Sequence, residues 1–176
     1  LNVKTFLSLS IVLSLSLGSN AFAFDKAAFF DAALCKPAYS TKSATKMYNE
    51  AEKLAKADTS LLAAAVYKLP ADFGHRGFKT SELMFAGTSF GVLVEGLRAD
   101  DLAKAYQLKS DGLGNVLGTA TKSYGRALPK AEQPAADMGV VSVVARESSA
   151  FPGKTLLACE FVSNEDLEAM KQLQTK

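Results

Sequence analysis

Two apolar runs near the C-terminus set the pattern of the chain. Gly139 to Ala145 is a β-branched run and Thr155 to Val162 is a second apolar run. Between them, Ser148-Ser149-Ala150-Phe151-Pro152-Gly153 is rich in turn formers. The pair predicts two strands and a turn. Upstream the period changes. Across Ser40 to Asp58, the positions Ala44, Met47, Tyr48, Ala51, Leu54 and Ala55 recur on one helical face. Lys42, Lys46, Asn49, Glu52, Lys53 and Lys56 fall largely on the other side, as on a solvated surface, and Ser40 or Ser43 is the expected N-cap. Phe24 to Leu34 is Ala-rich, with Phe29 and Phe30 on a broad apolar side, and predicts a helix that Pro37 stops. Arg98 to Leu108 predicts another amphipathic helix. Asp100 and Asp101 occupy its first turn, where negative charge suits the helix dipole. A short terminal helix is expected to begin at Ser163-Asn164-Glu165-Asp166 and to dock through Leu167, Met170 and Leu173.

The middle of the chain is less periodic. Leu61 to Leu69 permits helix by its alanines, but Val66 and Tyr67 ahead of Pro70 favour a strand. Pro70 to Thr80 contains Pro70, Asp72, Gly74 and Gly77 and predicts a loop or a wide hairpin connection. Leu83 to Leu97 predicts one strand, in which Gly87 and Gly91 mark bends, bulges or a close approach by another backbone. Gly112 to Tyr124 predicts a bent strand, and Leu128 to Asp137 a surface connection. Regular βαβ alternation is missing. The expected fold class is α+β, an antiparallel sheet with helices packed on one face.

The first residues change the picture of where this fold sits. Lys4, the apolar run Phe6 to Leu17 and the small-x-small pattern Ala21-Phe22-Ala23 predict a secretory leader over residues 1–23, cleaved between Ala23 and Phe24. Its apolar run of about 12 residues falls short of the roughly 20 that span a bilayer, so no stable membrane anchor is expected after cleavage. Residues 24–176 then form a single globular domain, located in the periplasm or secreted. Thiols in such compartments usually pair. Cys35 and Cys159 are the only cysteines, and a structural disulfide between them is expected to join the first helix to the hairpin. Closing a loop of about 125 residues is worth roughly 4–5 kcal/mol in the chain-entropy model.

Charge and composition exclude several classes. Twenty Lys plus Arg face 18 Asp plus Glu, for a net charge of +2, with no basic stripe that would mark a nucleic-acid partner. His75 is the only histidine, so a zinc site lacks ligands in number and spacing, and no metal or other cofactor is expected. No serine sits in a G-x-S-x-G setting. The glycine-spaced stretch after Gly112 follows a turn rather than a strand, which is the wrong context for dinucleotide binding. The 18 acids offer no spacing that selects a catalytic pair, and the expectation is that the chain is not an enzyme.

The richest chemistry lies in Asp72-Phe73-Gly74-His75-Arg76-Gly77-Phe78. Arg and aromatic side chains dominate binding hot spots, and loops between strands often carry recognition. Asp72, Phe73, His75, Arg76 and Phe78 are the candidate partner-binding residues. The bland alternative places both Phe rings in the core and has Asp72 pair with Arg76 or cap the turn. Tyr124-Gly125-Arg126 and the tip Phe151-Pro152-Gly153 are secondary candidates. The leading expectation is an exported interaction protein, an inhibitor or immunity-type binder of another protein such as a periplasm-acting enzyme or toxin. The alternative is a small-molecule or lipid-binding module, with an apolar pocket between the sheet and the Ala-rich helices, left by small residues such as Ala63 to Ala65 and Gly87. A hydrolase with unassigned carboxylates is third.

Overall fold

A computed structural model describes residues 25–61, 63–111, 120–134 and 136–174. The predicted leader and the first part of the predicted strand at Gly112 to Tyr124 lie outside these residues. The described chain is α+β. Four helices, α1 (Ala27–Ala33), α2 (Thr41–Leu54), α3 (Ala99–Tyr106) and α4 (Asn164–Gln174), accompany an eight-stranded antiparallel sheet. Its strands are β1 (Ala57–Asp58), β2 (Ala64–His75), β3 (Phe78–Ala86), β4 (Ser89–Glu95), β5 (Lys109–Ser110), β6 (Ala120–Ala127), β7 (Gly139–Ser148) and β8 (Lys154–Ser163). The spatial order is β1-β2-β3-β4-β8-β7-β6-β5. Two meanders therefore meet at the central β4–β8 pair, where Phe90 lies opposite Cys159.

Period-2 alternation divides the sheet into two faces. Tyr67, Leu83, Val92, Val143 and Leu157 join Phe29 and Phe30 of α1, Met47 of α2 and Leu102 of α3 in the main core. Met84, Leu93, Val144, Leu156 and Ala158 form a smaller cluster, with Phe151 of the β7–β8 turn packed against it. Beside that cluster, Arg146 makes a two-pronged ion pair with Glu160, with N–O distances of 2.9 and 2.8 Å. Burial works against the guanidinium charge, but the hydrogen bonds and field of Glu160 outweigh it and hold the Arg146 pKa above its ordinary value.

Three predicted boundaries are corrected. Residues 70–80 are not a loop: β2 continues to His75, and only Arg76 and Gly77 turn. A register shift between Lys68 and Phe73 takes Pro70 out of regular pairing, so a residue without an N–H is carried on a long strand. Leu83 to Leu97 is two strands rather than one. Gly87 turns the chain with φ +53°, whereas Gly91 marks a close approach, because a Cβ there would lie 2.6 Å from the Leu157 carbonyl oxygen. Finally, α2 ends at Leu54 instead of continuing to Asp58. Ala57 and Asp58 pair with Tyr67 and Val66 at the sheet edge, and the Asp58 carboxylate accepts the Ser60 N–H at 2.9 Å.

The helices are fixed by identifiable contacts. Ser40 caps α2 by accepting the Ser43 N–H, and the Ser43 hydroxyl accepts the Ser40 N–H in return. Tyr67, fully buried, donates to Glu52 of α2 at 3.0 Å and stacks edge-on with Tyr48 and Phe85. The start of α3 is capped from the sheet. Glu147 accepts the Ala99 N–H at 3.0 Å, and Thr155 accepts the Arg98 N–H at 2.7 Å. Ser163 caps α4 by accepting the Asp166 N–H.

The seven residues of α1 are too few for a stable isolated helix. It is held by burial of Phe29 and Phe30 and by the Cys35–Cys159 disulfide, with Cα atoms 4.9 Å apart and a sequence separation of 124. Replacing both cysteines by Ala should lower the unfolding free energy by about 5 kcal/mol, from loop closure alone. Urea titration of the oxidised protein against the double variant checks this. A loss below about 1 kcal/mol would mean that the unfolded chain already holds these ends together.

Candidate functional site

Two regions compete as the functional site. The first is the tip of the β2–β3 hairpin, where the sequence places its candidates. Arg76 and Gly77 have φ of +52° and +82°, the backbone of a tight two-residue turn. The tip folds back on the end of α3. His75 Nδ1 lies 3.1 Å from the Tyr106 hydroxyl and its ring packs edge-on against Phe30. Arg76 donates to the Ala105 carbonyl at 3.3 Å, and its guanidinium sits 5.7 Å from the centre of the Tyr106 ring. It does not pair with Asp72.

The candidates therefore divide. Phe78 is 5 % exposed and packs against Tyr106, and Phe73 is partly buried against Phe29. Asp72, His75 and Arg76 remain exposed. His75 and Arg76 meet on Tyr106 at the turn, Asp72 is exposed three residues back on β2, and the two rings on which an apolar anchor would depend are withdrawn. Of the secondary candidates, Tyr124 donates to Asp100 at 2.6 Å, Arg126 donates to the Tyr106 carbonyl, and Phe151 packs on the smaller cluster.

The second region is a cleft of about 570 Å³ between α1 and α2. Ala28 and Ala32, one turn apart on α1, face Ala44 and Met47 of α2 across it. Small side chains on both helices leave the space open. Phe90 and Cys159 form its floor, so the central strand pair and the disulfide are its base. The connection from Cys35 to Ser40 passes along one end and contributes Lys36, Pro37 and Tyr39. Lys42 and Lys46 stand on the outer edge, and among the described residues none that lines the cleft is a carboxylate. A catalytic carboxylate pair is thus not offered by this cleft. Among the described residues no cluster of His, Cys, Asp or Glu could hold a metal ion.

The cleft lies between the sheet and the Ala-rich helices, but the small residues that the sequence suggests for a pocket there are not the ones around it. Ala63 lies in a turn with φ +58°, Ala64 and Ala65 are on β2 and Gly87 is in the β3–β4 turn. None of them lines the space between the helices. The residues that do were assigned by period alone, Ala44 and Met47 to the core and Lys42 and Lys46 to solvent. The missed signal is the run of alanines at Ala28, Ala32 and Ala44, on two helices that must pack on one strand pair.

Comparison with protein-family models, curated proteins and solved structures finds no match for this chain. The assignment of the site rests on its geometry.

Tyr39 reports on the cleft. Burial disfavours its phenolate and raises its pKa above the ordinary 10.0; Tyr67 is shifted in the same direction, chiefly by burial. The folded chain thus holds these protons more tightly than the unfolded chain. Stability should be insensitive to both groups below pH 10 and should fall as the pH rises beyond it. An absorbance titration of wild type against Tyr39→Phe should lose one of the late phenol transitions. Loss of a transition at or below 10 instead would place Tyr39 in open water.

Proposed function

We propose that this chain is an exported binding module that takes an apolar, chain-like small molecule into the α1–α2 cleft. The observation that carries the reading is the cleft itself. Its volume of about 570 Å³ lies within the ~300–1,000 Å³ of small-molecule sites. Ala28, Ala32, Ala44 and Met47 give it apolar walls, and its base, Phe90 and Cys159, carries the disulfide. The predicted leader and the disulfide support an extracytoplasmic location, and no helix among the described residues is long and apolar enough to cross a membrane.

An organic extract of the purified protein should contain a bound aliphatic molecule. The delipidated protein should bind neutral alkanols saturably, tightening about fourfold per added methylene until the chain fills the cleft. Ala44→Phe should block binding while circular dichroism stays unchanged. Calorimetric titration of wild type with dodecyl-chain ligands decides the matter, and absence of saturable uptake of every one of them would remove the cleft from consideration.

A second reading, protein binding through the hairpin tip, is favoured by one observation. Arg76 holds a left-handed backbone conformation, which costs roughly 1–2 kcal/mol for a residue with a Cβ and which Asn or Gly accepts more readily. A strained, exposed Arg is a reason to suspect selection for its side chain. Arg76→Asn relieves that strain but loses the bond to Ala105 and the packing on Tyr106, so stability should change by less than ~1 kcal/mol in either direction while, under this reading, capture of a periplasmic target weakens at least about tenfold. Equal recovery of the same partner by both proteins would sink it.

A further inference from the structure

The geometry points to an anionic head group on the ligand of the α1–α2 cleft: a single-chain amphiphile such as a fatty-acid carboxylate. This rests on the cleft-binding reading and specifies its chemistry. The argument is charge complementarity around an apolar hole. Lys36, Lys42 and Lys46 all line the cleft, and all three are exposed. They come from two segments, the connection after α1 and the first half of α2. Lys42 and Lys46 are one turn apart, which puts their Cβ atoms about 5–6 Å from each other on the same side of the helix. Among the described residues none of the three is in a salt bridge, which is true of most of the described lysines; what sets these three apart is that they converge on one cleft whose described lining holds no carboxylate.

An unpaired group of three ammonium ions beside an acid-free apolar cleft is poorly matched to a cationic or a neutral ligand. It is matched to a molecule whose tail enters between Ala32 and Met47 while its charged end stays at the wet rim. Lysine suits that rim because its long stem lies along apolar surface while its ammonium remains hydrated. A concave site of this kind admits a single chain. A membrane-docking face would instead project apolar side chains outward; among the described residues the exposed large apolar side chains are Tyr48, Leu97 and Met138, and none of them lines the cleft.

The test compares three ligands of equal chain length on the full protein by calorimetry: dodecanoate, dodecanol and dodecyltrimethylammonium. Dodecanoate should bind roughly tenfold more tightly than dodecanol, with the cation weakest. Raising the salt from 0.1 to 1 M should remove most of that advantage, because screening shortens from about 10 to about 3 Å. The triple substitution Lys36→Gln, Lys42→Gln, Lys46→Gln should abolish the preference for dodecanoate and leave dodecanol within about twofold of wild type. Dodecyl phosphate binding as tightly as dodecanoate would support the same inference and indicate a phosphate-headed lipid as the source of the chain. Equal binding of dodecanol and dodecanoate, unchanged in the triple variant, would overturn the anionic head and leave the cleft reading standing. Failure of all four ligands would overturn both. Pelleting with phosphatidylglycerol vesicles, without uptake of monomeric dodecanoate, would replace the inference with surface docking.

Discussion

The bond between Cys35 and Cys159 is the constraint on which the rest of the arrangement depends. It joins the end of a seven-residue helix to the strand that pairs with β4 at the middle of the sheet. A helix that short does not persist by its own hydrogen bonds. It persists here because Phe29 and Phe30 are buried to within 1 % exposure and because its last turn cannot leave the sheet. The bridge then decides where the chain goes next. Cys35 itself takes a left-handed backbone, φ 59°, and the segment to Ser40 runs along the cleft before α2 begins. Both walls of the cleft are therefore tied to one covalent point in its floor.

Much of this architecture is legible in the residues, and the boundary of legibility is physical. β7 and β8 are legible as continuous apolar runs, because at their centres one face meets the helices and the other meets the smaller cluster, so both faces are buried. The faces of α2 and α3 follow the 3.6 period for the same reason. The ladder from β2 to β4 is harder to read. A glycine that turns the chain, Gly87, and a glycine that admits a neighbouring backbone, Gly91, look alike until the partner strand is known. Pro70 signals a break in any local reading, yet a register shift absorbs it within a strand. In both cases the deciding fact is non-local.

The same distinction governs the sites. The tip at residues 72–78 stands out by composition, and it does become a defined structure, but its rings turn inward. Phe78 is covered because α3 lies against the hairpin, with Tyr106 and Arg98 packed on its ring. Nothing between residues 70 and 80 encodes the presence of that helix. The cleft is less legible still. It is a gap between two segments, and its lining residues have ordinary assignments one at a time: Ala44 and Met47 as core, Lys42 and Lys46 as solvated surface. Only their convergence around Cys159 distinguishes them.

A gap lined by apolar groups requires an account of why it stays open. Apolar surface facing water costs on the order of 25 cal/mol per Å², so two mobile helices with alanine faces would close on each other. Here neither helix is free to do so. The bridge and the two Phe rings hold α1 to the sheet. Tyr67 and Glu52 fasten α2 to β2, while the reciprocal Ser40–Ser43 cap fixes where α2 starts. Closure would require breaking one of these attachments, and each is worth about a kilocalorie or more. The fold thus keeps a defect in its helix packing by anchoring both sides independently. That is the arrangement expected of a site formed in advance of its ligand, because filling the gap recovers the apolar burial that the anchored helices forgo.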